Sequence, residues 1–112
     1  MNLRKATRYV LSCPAQYQWV SPDGLQQISK GITRDLGIGG VYVRGDRSPP
    51  VGAQVELSIA IPNFEDTGYG MRLRGIGQVL RVEQKTELRA GGFAVSVSLD
   101  ASSARSQPLQ EP

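Results

Sequence analysis

Glycine and proline divide this chain into short segments, and several of these segments have the two-residue periodicity of a β-strand. In the clearest segment, Val55, Leu57 and Ile59 alternate with polar or small residues, as a half-buried strand requires. Phe93 and Val95 continue the same pattern near the end of the chain. No stretch of useful length has the periodicity of a helix. The chain is therefore predicted to be all-β, with many short strands joined by turns.

Six strands are predicted, each with one apolar face. Their expected bounds are Tyr9–Val20, Leu25–Thr33, Val41–Arg44, Val55–Ile61, Met71–Val82 and Phe93–Leu99. A chain of 112 residues can form one domain with a single modest core. Six such strands fit a closed or nearly closed antiparallel barrel. We expect a flexible N-terminal arm over residues 1–8, the barrel over 9–99 and a disordered tail over 100–112.

Two irregularities and one part of the core are expected within these strands. Pro14 indicates an edge or a bulge in the first strand, because proline cannot donate a hydrogen bond to the ladder. Gly75 and Gly77 stand where the apolar phase of the fifth strand changes, which indicates a bulge or a sharp bend. Tyr17 and Trp19 share one face of the first strand and are predicted to belong to the barrel wall or core rather than to a stacking platform.

The basic residues of the chain are mainly arginines. Lysine and arginine number 13 against 10 acidic residues, the net charge is +3, and the pI is near 9.4. Arginine presents a planar fork that pairs with phosphate or with a guanine edge and stacks on flat rings. A small anionic ligand that contains guanine suits this chemistry. The alternative is that most of the arginines only solvate the barrel wall.

Several functional classes lack the residues that they need. The single cysteine, Cys13, lies in an apolar stretch and is predicted to be a buried structural thiol. The chain has no histidine, and no cluster with metal-ligand spacing, nucleophile–base pair or carboxylate pair is visible. We therefore expect neither an enzyme nor a metal or cofactor site. Without a signal-like or membrane-spanning apolar run, a cytoplasmic protein that does not insert into membranes is expected.

Two short motifs carry the functional signal. The first is R-x-x-x-R, with Arg4 and Arg8 at its ends; the second is D-x-G-x-x-G, formed by Asp35, Gly37 and Gly40. Together they resemble the signature of the PilZ domain, a small bacterial β-barrel family that binds cyclic di-GMP. The family pattern is R-x-x-x-R followed by (D/N)-x-S-x-x-G. This chain matches it at four positions and carries Gly37 where the family has serine.

The resemblance implies a ligand-binding role for the charged residues of both motifs. Arg4 and Arg8 would wrap around cyclic di-GMP and reach its phosphates and the guanine Hoogsteen edge, whose two acceptors match a guanidinium fork. Asp35, expected to begin the turn between the second and third strands, would accept hydrogen bonds from the guanine N1–H and exocyclic amine. The alternative role for Asp35 is to cap the backbone amides of that turn.

The glycines of the second motif are expected to allow close approach of a ligand. Positive φ at Gly37, Gly39 and Gly40 would aim backbone N–H groups at a phosphate, although a tight turn at the barrel rim explains the same residues. At Gly37 the serine hydroxyl of the family is missing. Losing one hydrogen bond to a polar or charged ligand costs about 1–3 kcal/mol, which is roughly a tenfold to hundredfold loss of affinity.

Three functions remain open, in decreasing order of support. The first is a stand-alone cyclic di-GMP receptor whose N-terminal arm becomes ordered on binding and which signals to a partner protein. The second is a degenerate PilZ-like domain that does not bind the ligand and acts as a protein-interaction adaptor in motility or pilus function. The third is a basic barrel that binds DNA or RNA, which is disfavoured because aromatic residues are few and the excess charge is slight.

Overall fold

Eight β-strands make up most of the described chain. The structure, a computed structural model, describes residues 8–10, 12–37, 39–61 and 71–103. The strands are β1 (Arg8–Val10), β2 (Pro14–Val20), β3 (Gln26–Gly37), β4 (Gly40–Gly45), β5 (Gln54–Ile61), β6 (Met71–Glu83), β7 (Gly92–Val97) and β8 (Asp100–Ser103). The same ranges contain no helix that is long and apolar enough to span a membrane.

Six of these strands form a closed antiparallel barrel. Their order around the barrel is β3–β2–β5–β6–β7–β4, and the pairing of β3 with β4 closes it. The other two strands are short additions. β1 pairs with the part of β3 that lies beyond the first residue of β2, and β8 pairs with the part of β6 that lies beyond the last residue of β7. The predicted six-stranded antiparallel barrel is therefore confirmed, and closure leaves few unpaired strand edges.

Alternate residues of the barrel strands fill its interior. The largest fully buried side chains include Tyr17, Phe93 and Ile59. Tyr17 stacks on Trp19 with ring centroids 5.8 Å apart, and Phe93 meets Tyr17 edge-on at 4.8 Å. The prediction that Tyr17 and Trp19 belong to the barrel wall or core is confirmed, as is the burial of Cys13. These three rings supply much of the apolar area that one small core requires.

The predicted first strand, Tyr9–Val20, is interrupted in the structure. It consists of β1 and β2, and Pro14 is the first residue of β2, which pairs with β3 on one side and β5 on the other. The irregularity near this proline is therefore a break in the strand, and not the edge or bulge that was expected. Cys13 and Thr33 bridge the break by two hydrogen bonds. The Thr33 N–H donates to the Cys13 carbonyl at 2.9 Å, and the Cys13 N–H donates to the Thr33 hydroxyl oxygen at 3.0 Å.

The predicted boundaries of the barrel domain are too narrow at both ends. Arg8, expected to be the last residue of the arm, is the first residue of β1. Residues 100–103, expected to begin the tail, form β8 against the start of β6. Backbone hydrogen bonds hold the first segment against β3 and the second against β6, although neither segment has a marked apolar pattern. Residues 1–7 and 104–112 lie outside the described residues.

The change of phase in β6 does not occur at its glycines. Residues 71–78 pair with β5 in continuous register, and the shift occurs farther along, opposite β7, where Leu80 is the extra residue. The predicted bulge at Gly75 and Gly77 is therefore wrong in position. These two glycines face inward: a Cβ at Gly75 would lie 2.8 Å from Val97 Cγ2, and one at Gly77 would lie 2.6 Å from Val97 Cβ. Their role is to leave room for the side chains of β7.

Candidate ligand-binding site

Two rows of residues cross the outer face of the barrel on strands β1, β3, β4, β7 and β6. Leu36 of β3, Val41 of β4 and Val95 of β7 face the core, so the residues that alternate with them on these three strands face outward. Register partners on neighbouring strands define the glycine row (Arg8, Gly37, Gly40, Ser96 and Gln78) and the tyrosine row (Val10, Asp35, Tyr42, Ala94 and Arg81). We refer to the two rows together as the outer-face site.

The pairing of the strands brings four of the five predicted site positions together. Arg8 of the first motif is the register partner of Gly37 of the second, and Gly37 is the partner of Gly40. Asp35 lies two residues from Gly37 on the same strand. Arg4 lies outside the described residues. The two motifs, distant in sequence, are therefore neighbours at the corner where β1, β3 and β4 meet.

Two details of the second motif differ from expectation. Asp35 does not begin the turn, because it lies within β3, which continues to Gly37. The expected positive φ is found at Gly39, with φ of +88°. Neither Gly37, the last residue of β3, nor Gly40, the first residue of β4, has a positive φ, so that expectation is wrong for both. A Cβ at Gly40 would be 3.3 Å from the Val95 carbonyl oxygen. Close packing on β7 explains the glycine at this position.

Two β-bulges turn charged residues outward in the tyrosine row. In β3, Thr33 pairs with Val43 and Asp35 with Tyr42, so Arg34 is an extra residue without a counterpart on β4. Thr33 is fully buried, and without the bulge Asp35 would face the same way. In β6, the extra Leu80 turns Arg81 outward after the buried Val79 in the same manner. Bulges often re-aim a side chain beside a functional site, and here both act in one row.

Arg34 contacts both Asp35 and Tyr42. Its Nε lies 3.0 Å from Asp35 Oδ1, and its Nη2 lies 3.5 Å from Oδ2, so the guanidinium spans both carboxylate oxygens. The guanidinium carbon is 3.8 Å from the centroid of the Tyr42 ring, which is a cation–π contact. The hydrogen bond to Asp35 raises the pKa of Arg34. The exposed fraction of the side chain is 33% for Arg34 and 15% for Asp35, so both are partly buried.

Tyr42 is buried although it faces away from the core. Its side chain is covered by Arg34, and the guanidinium of Arg81 lies 5.8 Å from its centroid. The Tyr42 hydroxyl donates to Glu83 Oε1 at 2.7 Å, while Arg81 Nε lies 3.5 Å from the other carboxylate oxygen. Burial, followed by the bond to Glu83, raises the pKa of Tyr42, and the same bond lowers the pKa of Glu83. Gly92 allows this packing, since a Cβ there would lie 2.7 Å from the ring.

Small side chains occupy the middle of the outer-face site. Gly37, Gly40, Ala94 and Ser96 form a shallow floor beside the charged and aromatic cluster. A flat ligand can approach the backbone closely on such a surface. The cluster contains the carboxylates of Asp35 and Glu83, the guanidinium groups of Arg34 and Arg81, and the ring of Tyr42. In the described ranges, no group of three or more histidine, cysteine or acidic side chains is placed to hold a metal ion.

Three residues of the charged and aromatic cluster were not identified from the sequence: Tyr42 in the tyrosine row, and Arg34 and Glu83 beside it. Arg34 and Asp35 are consecutive polar residues, and this break in alternation was a signal for a bulge that sequence reasoning did not use. Tyr42 and Glu83 are far apart in sequence, and no pattern indicates their contact. Arg81 lies in the tyrosine row, where the register aligns it with Ala94.

A second surface feature is separate from the site formed by the motifs. It is a cleft of about 380 Å³ between the loop that follows β4 and the loop that follows β6. Glu83 lines it, but the residues of both motifs and Tyr42 do not. Lys85 and Asp46 form a 4.0 Å ion pair there between exposed side chains. Such an exposed pair contributes little, and the predicted ligand chemistry is absent from this cleft.

Comparison with known proteins shows a shared fold. No family model matches the sequence, and no curated protein matches it. Among solved structures, the chain is similar to the Bacillus subtilis inhibitor of motility (MotI/DgrA), with a TM-score of 0.66 and 16% sequence identity. The match covers 88% of this chain and 44% of the other, so the chain spans less than half the length of that protein. At this identity, the similarity establishes the barrel architecture, which agrees with the fold predicted from the strand pattern and the two motifs.

Proposed function

We propose that this chain is a PilZ-like receptor domain that binds cyclic di-GMP at the outer-face site and signals to a partner protein. The observation that supports the proposal is the strand register. It places Arg8, Gly37 and Gly40 side by side, with Asp35 next to them, although the two motifs belong to different parts of the sequence. The barrel that this chain shares with the inhibitor of motility MotI/DgrA is consistent with such a regulatory role.

The chemistry of the site suits a guanine nucleotide. A carboxylate such as that of Asp35 accepts hydrogen bonds from the N1–H and the exocyclic amine of guanine. The guanidinium groups of Arg4 and Arg8 suit the O6 and N7 acceptors of the base and the phosphates. Binding would bring the guanidinium groups of Arg4 and Arg8 onto the ligand and create a new surface for the partner. Such a switch requires no catalytic step.

A second candidate function is a ligand-independent adaptor, and two observations favour it. Gly37 lacks the hydroxyl that the family pattern supplies. Arg34 already contacts both carboxylate oxygens of Asp35. Both features lower the affinity for a guanine ligand, and a sufficiently weak site would leave only the protein-interaction function. Titration of the chain with cyclic di-GMP distinguishes the receptor from the ligand-independent adaptor.

The test is isothermal titration of the purified chain with cyclic di-GMP, with GTP as the control ligand. The Arg8→Ala and Asp35→Ala variants remove one side chain from each motif, and Arg74→Ala removes an exposed arginine elsewhere on β6. We expect micromolar or tighter binding that Arg8→Ala and Asp35→Ala abolish and Arg74→Ala retains. Absence of binding at millimolar cyclic di-GMP would reject the receptor function and leave the adaptor.

A further inference from the structure

The side chain of Arg34 occupies two surfaces that a guanine base would need. Its fork lies against both carboxylate oxygens of Asp35, with N···O distances of 3.0 and 3.5 Å. Its guanidinium plane also covers the ring of Tyr42, at 3.8 Å from the centroid. Tyr42 is only 4% exposed although it faces outward, so Arg34 and its neighbours leave little of the ring available to another flat group.

Guanine and guanidinium present similar hydrogen-bonding edges. The N1–H and the exocyclic amine of guanine are two adjacent donors on a planar group, which is also what the arginine fork offers to a carboxylate. Both groups stack on aromatic rings. A base that binds Asp35 through that edge therefore competes with Arg34 for the same two oxygens.

We infer that Arg34 is a specificity-determining residue that acts as an internal competitor of the guanine base. This inference rests on the proposed function. To bind, the ligand must displace the Arg34 fork from Asp35, and Tyr42 then becomes available to the base. Guanine restores both hydrogen bonds that Asp35 loses. Adenine presents one amine donor beside the N1 acceptor on the corresponding edge, so it restores only one of them and places an acceptor against the carboxylate.

The position of Arg34 in the bulge makes this displacement feasible. Arg34 is the extra residue of β3 and has no counterpart in the β3–β4 register. Its side chain is about one-third exposed, so rotation toward solvent requires no repacking of the core. Thr33 and Leu36, which are buried on the inner side of the same strand, keep β3 in place. Displacing Arg34 therefore changes the outer-face site and leaves the barrel intact.

The test compares Arg34→Lys and Arg34→Ala with the wild-type chain. Lysine keeps the positive charge that attracts an anionic ligand, but it lacks the planar fork. Arg74→Lys is the matched control, because Arg74 is an exposed arginine of β6 outside the site. Each protein is titrated with cyclic di-GMP and with the corresponding cyclic diadenylate, and thermal unfolding verifies that each variant is folded.

We expect Arg34→Lys to bind cyclic di-GMP roughly tenfold more tightly than the wild type, with no comparable gain for the diadenylate. Arg74→Lys should remain within about twofold of the wild type. Binding by Arg34→Lys or Arg34→Ala without binding by the wild type also supports the inference. Wild-type binding that both Arg34 variants weaken or leave unchanged overturns the inference but retains the receptor. No binding by any of these proteins overturns both. If Arg34→Ala does not fold, Arg34→Lys decides the question.

Discussion

The Cys13 N–H donates a hydrogen bond to the Thr33 hydroxyl oxygen at 3.0 Å, and both residues are about 1% exposed. This bond connects Cys13, which lies between β1 and β2, to β3, and it satisfies a backbone N–H that is buried from water. It also lies directly before the bulge that turns Asp35 outward. The hydroxyl of Thr33 therefore stabilises the part of β3 that positions the outer-face site.

Replacing Thr33 by valine should destabilise the barrel. Valine has nearly the same shape but leaves the Cys13 N–H without its acceptor, at a cost of about 1–3 kcal/mol in the free energy of unfolding. Thr33→Ser keeps the hydroxyl and loses only a methyl group. Urea denaturation of the wild type and both variants provides the measurement, and a Thr33→Val variant as stable as the wild type would show that the hydrogen bond contributes nothing.

A second prediction concerns the inward-facing glycine of β6. Gly77→Ala would place a methyl group against the Ser96 carbonyl oxygen, 2.6 Å from Val97 Cβ and 2.9 Å from Val95 Cγ1. Because these neighbours are backbone or tightly packed core atoms, we expect a loss of about 1–3 kcal/mol by urea denaturation. Gln78→Ala is the matched control, since Gln78 is the adjacent residue and is exposed. The two variants should differ clearly, and similar stabilities would contradict the packing argument.

The fold could be predicted because its main determinants are local. Alternation of apolar residues in the strand of Val55, Leu57 and Ile59 fixes which face is buried, and six such segments in a short chain leave few arrangements other than a barrel. The positions of the bulges could not be predicted in the same way. Gly77 was predicted to mark a bulge or a sharp bend, whereas it provides space for β7, and the bulge occurs at Leu80.

The candidate site shows the same division between local and long-range information. The motif residues Arg8, Asp35 and Gly40 were found by spacing, and the register places them together. The cation–π contact of Arg34 with Tyr42 depends on an extra residue in one strand and on pairing with another. No periodicity in the sequence encodes such a contact, so it becomes visible only when β3 and β4 are aligned.

The hydrogen bond between Tyr42 and Glu83 should make stability depend on pH at both extremes. The pKa of Glu83 is lowered, so its contribution is present above the ordinary glutamate value, about pH 4.3, and is lost as the pH falls through the lowered pKa. The pKa of Tyr42 is raised, so its contribution is present below about pH 10 and is lost as the pH rises through the raised pKa. Tyr42→Phe should remove the alkaline effect and reduce the acidic one, since Arg81 also lowers the pKa of Glu83.

Thermal unfolding of the wild type and Tyr42→Phe between about pH 3 and about pH 11 provides the measurement. Tyr17→Phe is a useful control, because the hydroxyl of Tyr17 donates to the Arg47 carbonyl, far from Glu83, and burial raises the pKa of this tyrosine as well. Tyr17→Phe should change the loss of thermal stability at alkaline pH and leave the loss at acidic pH as in the wild type. If Tyr42→Phe also leaves the loss of stability at acidic pH unchanged, the Glu83 bond does not stabilise the folded state.

The last prediction concerns Gly37, the position where this chain differs from the PilZ signature that its motifs resemble. Gly37 is the register partner of both Arg8 and Gly40, so a side chain there enters the glycine row of the proposed site. Gly37→Ser supplies a hydroxyl that can hydrogen-bond a polar or anionic ligand, and we expect cyclic di-GMP to bind roughly tenfold more tightly in calorimetric titration. Gly37→Ala adds a side chain without a donor and should give no such gain. A similar affinity for the serine and alanine variants would show that the hydroxyl makes no contact with the ligand, and that Gly37 does not limit binding.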